Sequence, residues 1–177
     1  MDFRVEFEAA QIIAGPNEDG ILQRDIVICE NHTVTSLGFE ALSRCSKLER
    51  VSFPAATHIG NYAFYQCRAL TSVYFPRLEY ITGTAFLSCE SLSRVRLPRV
   101  TFIGGNAFAY CTKLESVVIE QSASVCFLGN ASAFANTPIA NGTGFIYVPD
   151  ALVEDYKKAA NWSTYAAQIK PLSELSE

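Results

Sequence analysis

The sequence predicts an α/β solenoid, a pile of short coils with parallel strands along one side and a helical cap at the C-terminal end. Three observations predict it. Cys45, Cys67, Cys89 and Cys111 stand at a constant interval of 22 residues (67−45, 89−67, 111−89). Other residue types recur at fixed places inside that interval, and from Asp150 onward the apolar residues change to a helical spacing. A period of this length marks a unit that cannot bury its own apolar side and must stack on its neighbours to do so.

The strands follow from the alternation inside each unit. Leu48, Leu70, Leu92 and Leu114 each precede by three residues a valine, Val51, Val73, Val95 and Val117. Two residues further on comes Phe53, Phe75, Leu97 or Ile119. Period-two spacing of β-branched and aromatic residues reads as a strand with one buried face. Pro54, Pro76 and Pro98 end three of these strands, because proline brings no N–H to a central ladder; Glu120 stands in the fourth place. Identical strands one turn apart then lie in parallel at about 4.8 Å. Behind them Ile59, Ile81 and Ile103, the Ala-Phe pairs 63-64, 85-86 and 107-108, and the cysteines fill the interior. Three departures are visible: Leu42 in the place of Phe, Thr82-Gly83 altering the Ile-Gly step, and Ala133-Phe134 arriving 26 residues after Ala107-Phe108, an insertion of four.

Both ends need caps, since terminal turns expose apolar surface and strand edges. Residues 1–25 are expected to form the N-terminal capping segment, with Phe3, Val5, Phe7, Ile12 and Ile13 suited to a strand or hairpin. Residues 26–149 form the array, whose first irregular turn starts at Ile26-Val27-Ile28. Residues 150–177 form the C-terminal cap, all within one structural domain. The cap reads as a helix from Ala151 to about Ala160. Asp150 serves as N-cap, Glu154 and Asp155 lie where the helix dipole favours acids, and Leu152, Tyr156, Ala159 and Ala160 share one face. A second short helix carries Trp162, Tyr165 and Ile169.

The unit Cys-x-x-Leu-x-x-Val-x-Phe/Leu-Pro-x-Leu/Val-x-x-Ile-Gly-x-x-Ala-Phe-x-x-Cys, as it stands from Cys89 to Cys111, resembles the BspA-type leucine-rich repeat of bacterial surface proteins. The run Ile146-Tyr147-Val148-Pro149-Asp150, leading to Tyr156-Lys157, Trp162-Ser163 and Ile169-Lys170-Pro171, resembles the C-terminal cap of such arrays. Together they cover roughly residues 26 to 175. The resemblance implies a right-handed leucine-rich-repeat solenoid with its parallel sheet on the concave face. It also implies a role in adhesion or host-protein binding at the cell surface or in secretion.

Composition excludes several function classes. A net charge of −4 and a pI near 5.2 argue against nucleic acid as partner, because phosphate binding needs a basic field. No stretch of 18 apolar residues occurs, so membrane insertion is not expected. Met1 to Glu8 lack the basic region and apolar run of a signal peptide, and the chain is therefore expected to be cytoplasmic, a mature fragment, or exported by another route.

Six cysteines invite a disulfide framework. In-register neighbours, however, hold their Cβ atoms near about 4.8 Å, against roughly 3.8 Å in a disulfide. Buried free thiols, acting as small apolar groups, suit a ladder position better. Zinc wants paired ligands such as Cys-x-x-Cys, and the sequence has none. Cys29 and Cys126 lie off the register, and either is a candidate for partial exposure.

No nucleophile elbow, phosphate loop, zinc-protease helix or dinucleotide fingerprint follows a strand. His32 and His58, the two histidines, fall in different registers and read as solvated loop residues. The expectation is a protein without catalytic activity and without a cofactor or metal. What remains is the solvent face of the strands, where Arg50, Ser52, Ser72, Tyr74, Arg94, Arg96, Ser116, Val118 and Tyr147 stack. Tyrosine and arginine dominate binding hot spots, so Arg50, Tyr74, Arg94, Arg96, Val118 and Tyr147 are the candidate partner-binding residues. The partner class is a host or bacterial protein, or a glycan. The alternative is a structural spacer whose polar face merely keeps the sheet soluble.

Overall fold

A computed structural model describes residues 28–176. The capping segment expected over residues 1–25 lies outside them, as do Ile26 and Val27. The described chain winds as an α/β repeat solenoid with two short strands in each turn. On the first side lie β1 (Ile28–Glu30), β3 (Arg50–Ser52), β5 (Ser72–Tyr74), β7 (Arg94–Leu97), β9 (Ser116–Ile119) and β11 (Phe145–Val148). On the second side lie β2 (Ser36–Leu37), β4 (His58–Ile59), β6 (Tyr80–Ile81), β8 (Phe102–Ile103) and β10 (Phe127–Leu128). A last strand, β12 (Ile169–Pro171), joins β11 on the first side.

Every strand pairing is parallel and in register by repeat position. Val51 faces Cys29 and Val73, and Val95 faces Val117, which faces Ile146. Cys29 thus sits in the inward valine ladder, which corrects its expected exposure: a thiol takes the valine place and is buried. The second side is one continuous sheet ordered β2-β4-β6-β8-β10. The first side divides into β1-β3-β5 and β7-β9-β11-β12.

A third side holds no strand yet carries its own main-chain ladder. The amides of Leu42, Phe64, Phe86 and Phe108 donate to the carbonyls of Ala63, Ala85, Ala107 and Ala133, each at 2.8 Å. The backbone reaches these partners by turning through the left-handed region twice per turn, at Tyr62 and Gln66, Thr84 and Ser88, Asn106 and Tyr110. L-residues resist that conformation, most of all a β-branched one such as Thr84 at φ 62°.

The interior is a set of like-on-like stacks. Phe64, Phe86, Phe108 and Phe134 lie face to face with centroids 4.9, 5.1 and 5.7 Å apart. Leu42, where the repeat favours phenylalanine, is fully buried at the start of that stack. All six cysteines are buried, Cys126 included, and none is joined in a disulfide. Their thiols do more than fill space: the Sγ atoms of Cys67, Cys89 and Cys111 donate to the carbonyls of Leu42, Phe64 and Phe86 one turn back, each at 3.1 Å. Burial pushes the Cys89 thiol well above its ordinary pKa and pushes that of Cys126 up to about 12.

The insertion of four divides in two. Leu128 pairs with Ile103, so three extra residues lie between β9 and β10 (128−103 is 25, against 22), and the fourth falls between Gly129 and Phe134. Beyond β11 the first cap helix departs from the continuous run expected over residues 151–160. Asp150–Leu152 is a 3-10 turn, and the α-helix α1 runs only over Val153–Lys158. Asp150 makes no N-cap bond; its carboxylate accepts the Ser173 amide at 3.1 Å instead, and the Ser173 side chain, with that amide, holds its pKa below the usual value. Ile169, expected on a helix, extends the sheet in β12 because its strand finds β11 still unpaired on that edge.

What the cap does is satisfy the last turn. The Trp162 indole donates to Cys126 O at 2.6 Å, the Cys126 amide donates to Tyr156 Oη at 2.9 Å, and Asn161 Nδ2 donates to Leu128 O at 2.8 Å. Tyr165 donates to Ala131 O and meets Phe134 edge to face at 5.4 Å, closing the phenylalanine stack. The edge of β10 is thereby covered, with the Cys126 amide and carbonyl and the Leu128 carbonyl paired.

Two predictions follow from the tightness and dryness of this stack. A Cβ built on Gly104 falls 2.3 Å from the Gly83 amide nitrogen, so Gly104→Ala must push two turns apart. Urea unfolding is expected to show a loss of about 1–3 kcal/mol, whereas Thr84→Gly, relieving the left-handed strain, gains up to about 1 kcal/mol. The Cys126 thiol ionises near 9.0 when unfolded and near 12 when folded. Its contribution is fully present below pH 9 and is lost as the pH rises toward 12. The urea midpoint is therefore flat from neutral pH to about 9 and falls above it; a midpoint that rises there contradicts the buried neutral thiols.

Candidate functional site

The solvent face of the first-side sheet is built by residues that alternate with the inward valine ladder. Strand geometry sends successive side chains to opposite faces, so Arg50 and Ser52, Ser72 and Tyr74, Arg94 and Arg96 all point outward. Their spacing is set by main-chain pairing, and the arginines of β7 stand on a rigid base.

Two shallow depressions mark this face, and Arg94 lines both. The larger, about 500 Å³, lies between Thr71–Pro76 on one side and Arg94, Arg96 and Pro98 on the other. The smaller, about 310 Å³, is bounded by Arg94, Glu115, Ser116, Phe145, Tyr147 and the 138–143 loop. Of the six candidate residues, Tyr74, Arg94, Arg96 and Tyr147 line one depression or both. Arg50, exposed on β3, lines neither.

Val118 corrects the expectation. It is fully buried and offers nothing to a partner. Arg96 and Tyr147 stand directly opposite it in the flanking strands, and a valine between two longer side chains is shut off from water. Ser116 is likewise buried, with 7% of its surface exposed.

The two arginines of β7 differ in their commitments. Arg96 pairs with the Glu120 carboxylate. Arg94 donates through Nε to the Ser116 hydroxyl at 3.1 Å. Tyr74, 56% exposed, stands on the opposite wall of the larger depression.

A second exposed feature was not anticipated from the sequence. His58, Tyr80, Phe102 and Phe127 project from the second-side sheet as a continuous aromatic stripe. His58 lies flat on Tyr80 at 4.6 Å, and Phe102 on Phe127 at 5.7 Å. His58 is therefore a strand residue in a stack, and its Nδ1 shares a hydrogen bond with Thr57 Oγ1 at 2.8 Å. The signal was present: each member directly precedes an inward residue, Ile59, Ile81, Ile103 or Leu128. Among the described residues there is no group of three or more His, Cys, Asp or Glu placed to hold a metal ion. No helix among them is long and apolar enough to cross a membrane.

The stacked register and the inward ladders agree with one known repeat. The family described as BspA type leucine rich repeat region matches residues 24–141 in six copies. The chain belongs to this family. Among solved structures, this BspA-type chain is similar to the leucine rich repeat protein of T. pallidum, with 24% identity and a TM-score of 0.60 over 77% of this chain and 67% of that one. It is also similar to a leucine rich cell surface protein of Faecalibacterium prausnitzii, with 21% identity and a TM-score of 0.57. That likeness covers 87% of this chain but only 40% of the other, so the BspA-type array here spans well under half of that protein. At such identities the likeness is one of fold. No curated protein matches the sequence.

The burial difference along the face is directly measurable. Val118→Asp places a carboxylate among apolar neighbours and is expected to cost at least about 2 kcal/mol in urea unfolding. Tyr74→Ala, removing an exposed ring, is expected to stay within about 0.5 kcal/mol of the parent.

Proposed function

We propose that this chain is a non-catalytic recognition module of a bacterial surface or secreted protein, which holds a protein partner against the solvent face of its first-side sheet. The observation that carries this is the pair of depressions sharing Arg94, with Tyr74 and Tyr147 on their far walls. Tyrosine brings a large contact area at low conformational cost and arginine a planar fork of donors, and here they stand on strands whose positions repeat from turn to turn. The described part of the array, residues 28–149, presents the face, while residues 150–176 close its C-terminal end. Adhesion is the biological role that suits a rigid binding face without catalytic machinery.

Charge reversal tests this. The immobilised domain and its Arg94→Glu/Arg96→Glu variant are exposed to host-matrix proteins and to a glycan array, with thermal unfolding confirming that both are folded. A protein retained by the parent and lost by roughly tenfold or more in the variant is the expected result. Equal retention by both, or retention by neither, overturns the proposal and favours a spacer that carries other domains.

A further inference from the structure

The first-side sheet is continuous in sequence pattern but not in hydrogen bonding. Between β3 and β5 the Phe53 amide donates to Tyr74 O and the Thr71 amide to Glu49 O; between β7 and β9 the Glu115 amide donates to Ser93 O. The corresponding bonds across β5 and β7, from Phe75 to Arg96 O and from Ser93 to Thr71 O, are not made among the described residues. The sheet parts there. Val73 is only half-buried, although Val51, Val95 and Val117 in the same ladder are buried. The larger depression sits on this split, with backbone groups of β5 along one wall and the arginines of β7 along the other.

Arg94 is held in a particular posture at that wall. Its Nε is spent on Ser116, a hydroxyl that is itself almost wholly buried, while its two Nη nitrogens have no protein partner among the described residues. A guanidinium tethered through Nε keeps its outer donors aimed and loses less freedom when an oxyanion arrives. Arg96 is already compensated by Glu120. Glu115 borders the smaller depression and repels an anion from that side, whereas no acid lines the larger one.

We infer that the larger depression is a seat for an aspartate or glutamate carboxylate on an extended segment of the protein partner, received by the Nη nitrogens of Arg94. Ser116 is the positioning residue, and the apolar neighbour of the acid lies over Val73. An extended peptide fits better than an acidic glycan, because the split offers an unpaired amide at Phe75 and an unpaired carbonyl at Thr71, the complement of a peptide main chain. This inference rests on the recognition function proposed above but is tested apart from it.

Arginine side-chain NMR of the full chain reads the site directly. The blocked tripeptide Val-Glu-Val is titrated against its Val-Gln-Val counterpart and against glucuronate, following the Nε–Hε signals. The glutamate peptide is expected to move the Arg94 signal saturably, with roughly tenfold weaker binding for the glutamine peptide. Arg96 moves less. Ser116→Ala weakens the response by roughly three- to tenfold at unchanged unfolding temperature. No saturable response up to the solubility limit, an equal response to the glutamine peptide, or Arg96 as the main responder overturns the carboxylate seat. Glucuronate binding as well as the peptide overturns the choice of a peptide. If a protein partner is lost on charge reversal while no carboxylate registers at Arg94, recognition by the face stands and the seat falls. A peptide response without any retained partner leaves the seat and removes the function.

Discussion

Main-chain hydrogen bonds between residues one turn apart bind all three sides of this molecule, and the identity of successive turns is what makes them possible. Each turn offers amides and carbonyls at the same heights as its neighbours, so a rung pairs only if the next repeats its backbone path. The path is demanding. Gly104 approaches the Gly83 amide so closely that no Cβ fits, and the third side passes twice per turn through a conformation that L-residues avoid. Where glycine is replaced, at Thr82, the hydroxyl compensates by donating to Ile59 O at 3.0 Å.

Stacking like on like carries the same constraint inward. Phenylalanines face phenylalanines at near-parallel angles, and the thiols of Cys67, Cys89 and Cys111 each find a carbonyl one turn back. A stack of this kind has open ends, and at the C-terminal end tryptophan, tyrosine and asparagine side chains replace the missing turn by bonding the last carbonyls and amide directly.

The outward face inherits this regularity, and its interest lies in where the regularity lapses. The bonding gap between β5 and β7 opens the larger depression, and neighbouring side chains divide arginines that look alike in the sequence into one compensated by Glu120 and one anchored on Ser116. A surface of identical rungs repeats the same contacts at every height; the interruption beside Arg94 makes one height of the described face unlike the others.

Leu70, Val73, Ile81, Phe86 and Cys89 announce their turn from the sequence alone, because burial in a repeated coil forces the same residue types at the same spacing. The parallel register, the inward ladders and the repeat family were legible for that reason. The solvent face was legible only as a row of outward positions. Burial of Val118 depends on the lengths of Arg96 and Tyr147 across the ladder, which strand alternation does not encode. Cys29 hid in the valine ladder because residues before the first cysteine match the period poorly, and β12 escaped notice because Ile169 continues the helical spacing of Trp162 and Tyr165. The 22-residue period determined by itself that this chain is a pile of parallel turns. Tertiary structure alone decided which outward side chains stay in water, which arginine keeps donors to offer, and where the sheet parts, since each depends on contacts between turns rather than on any one turn's composition.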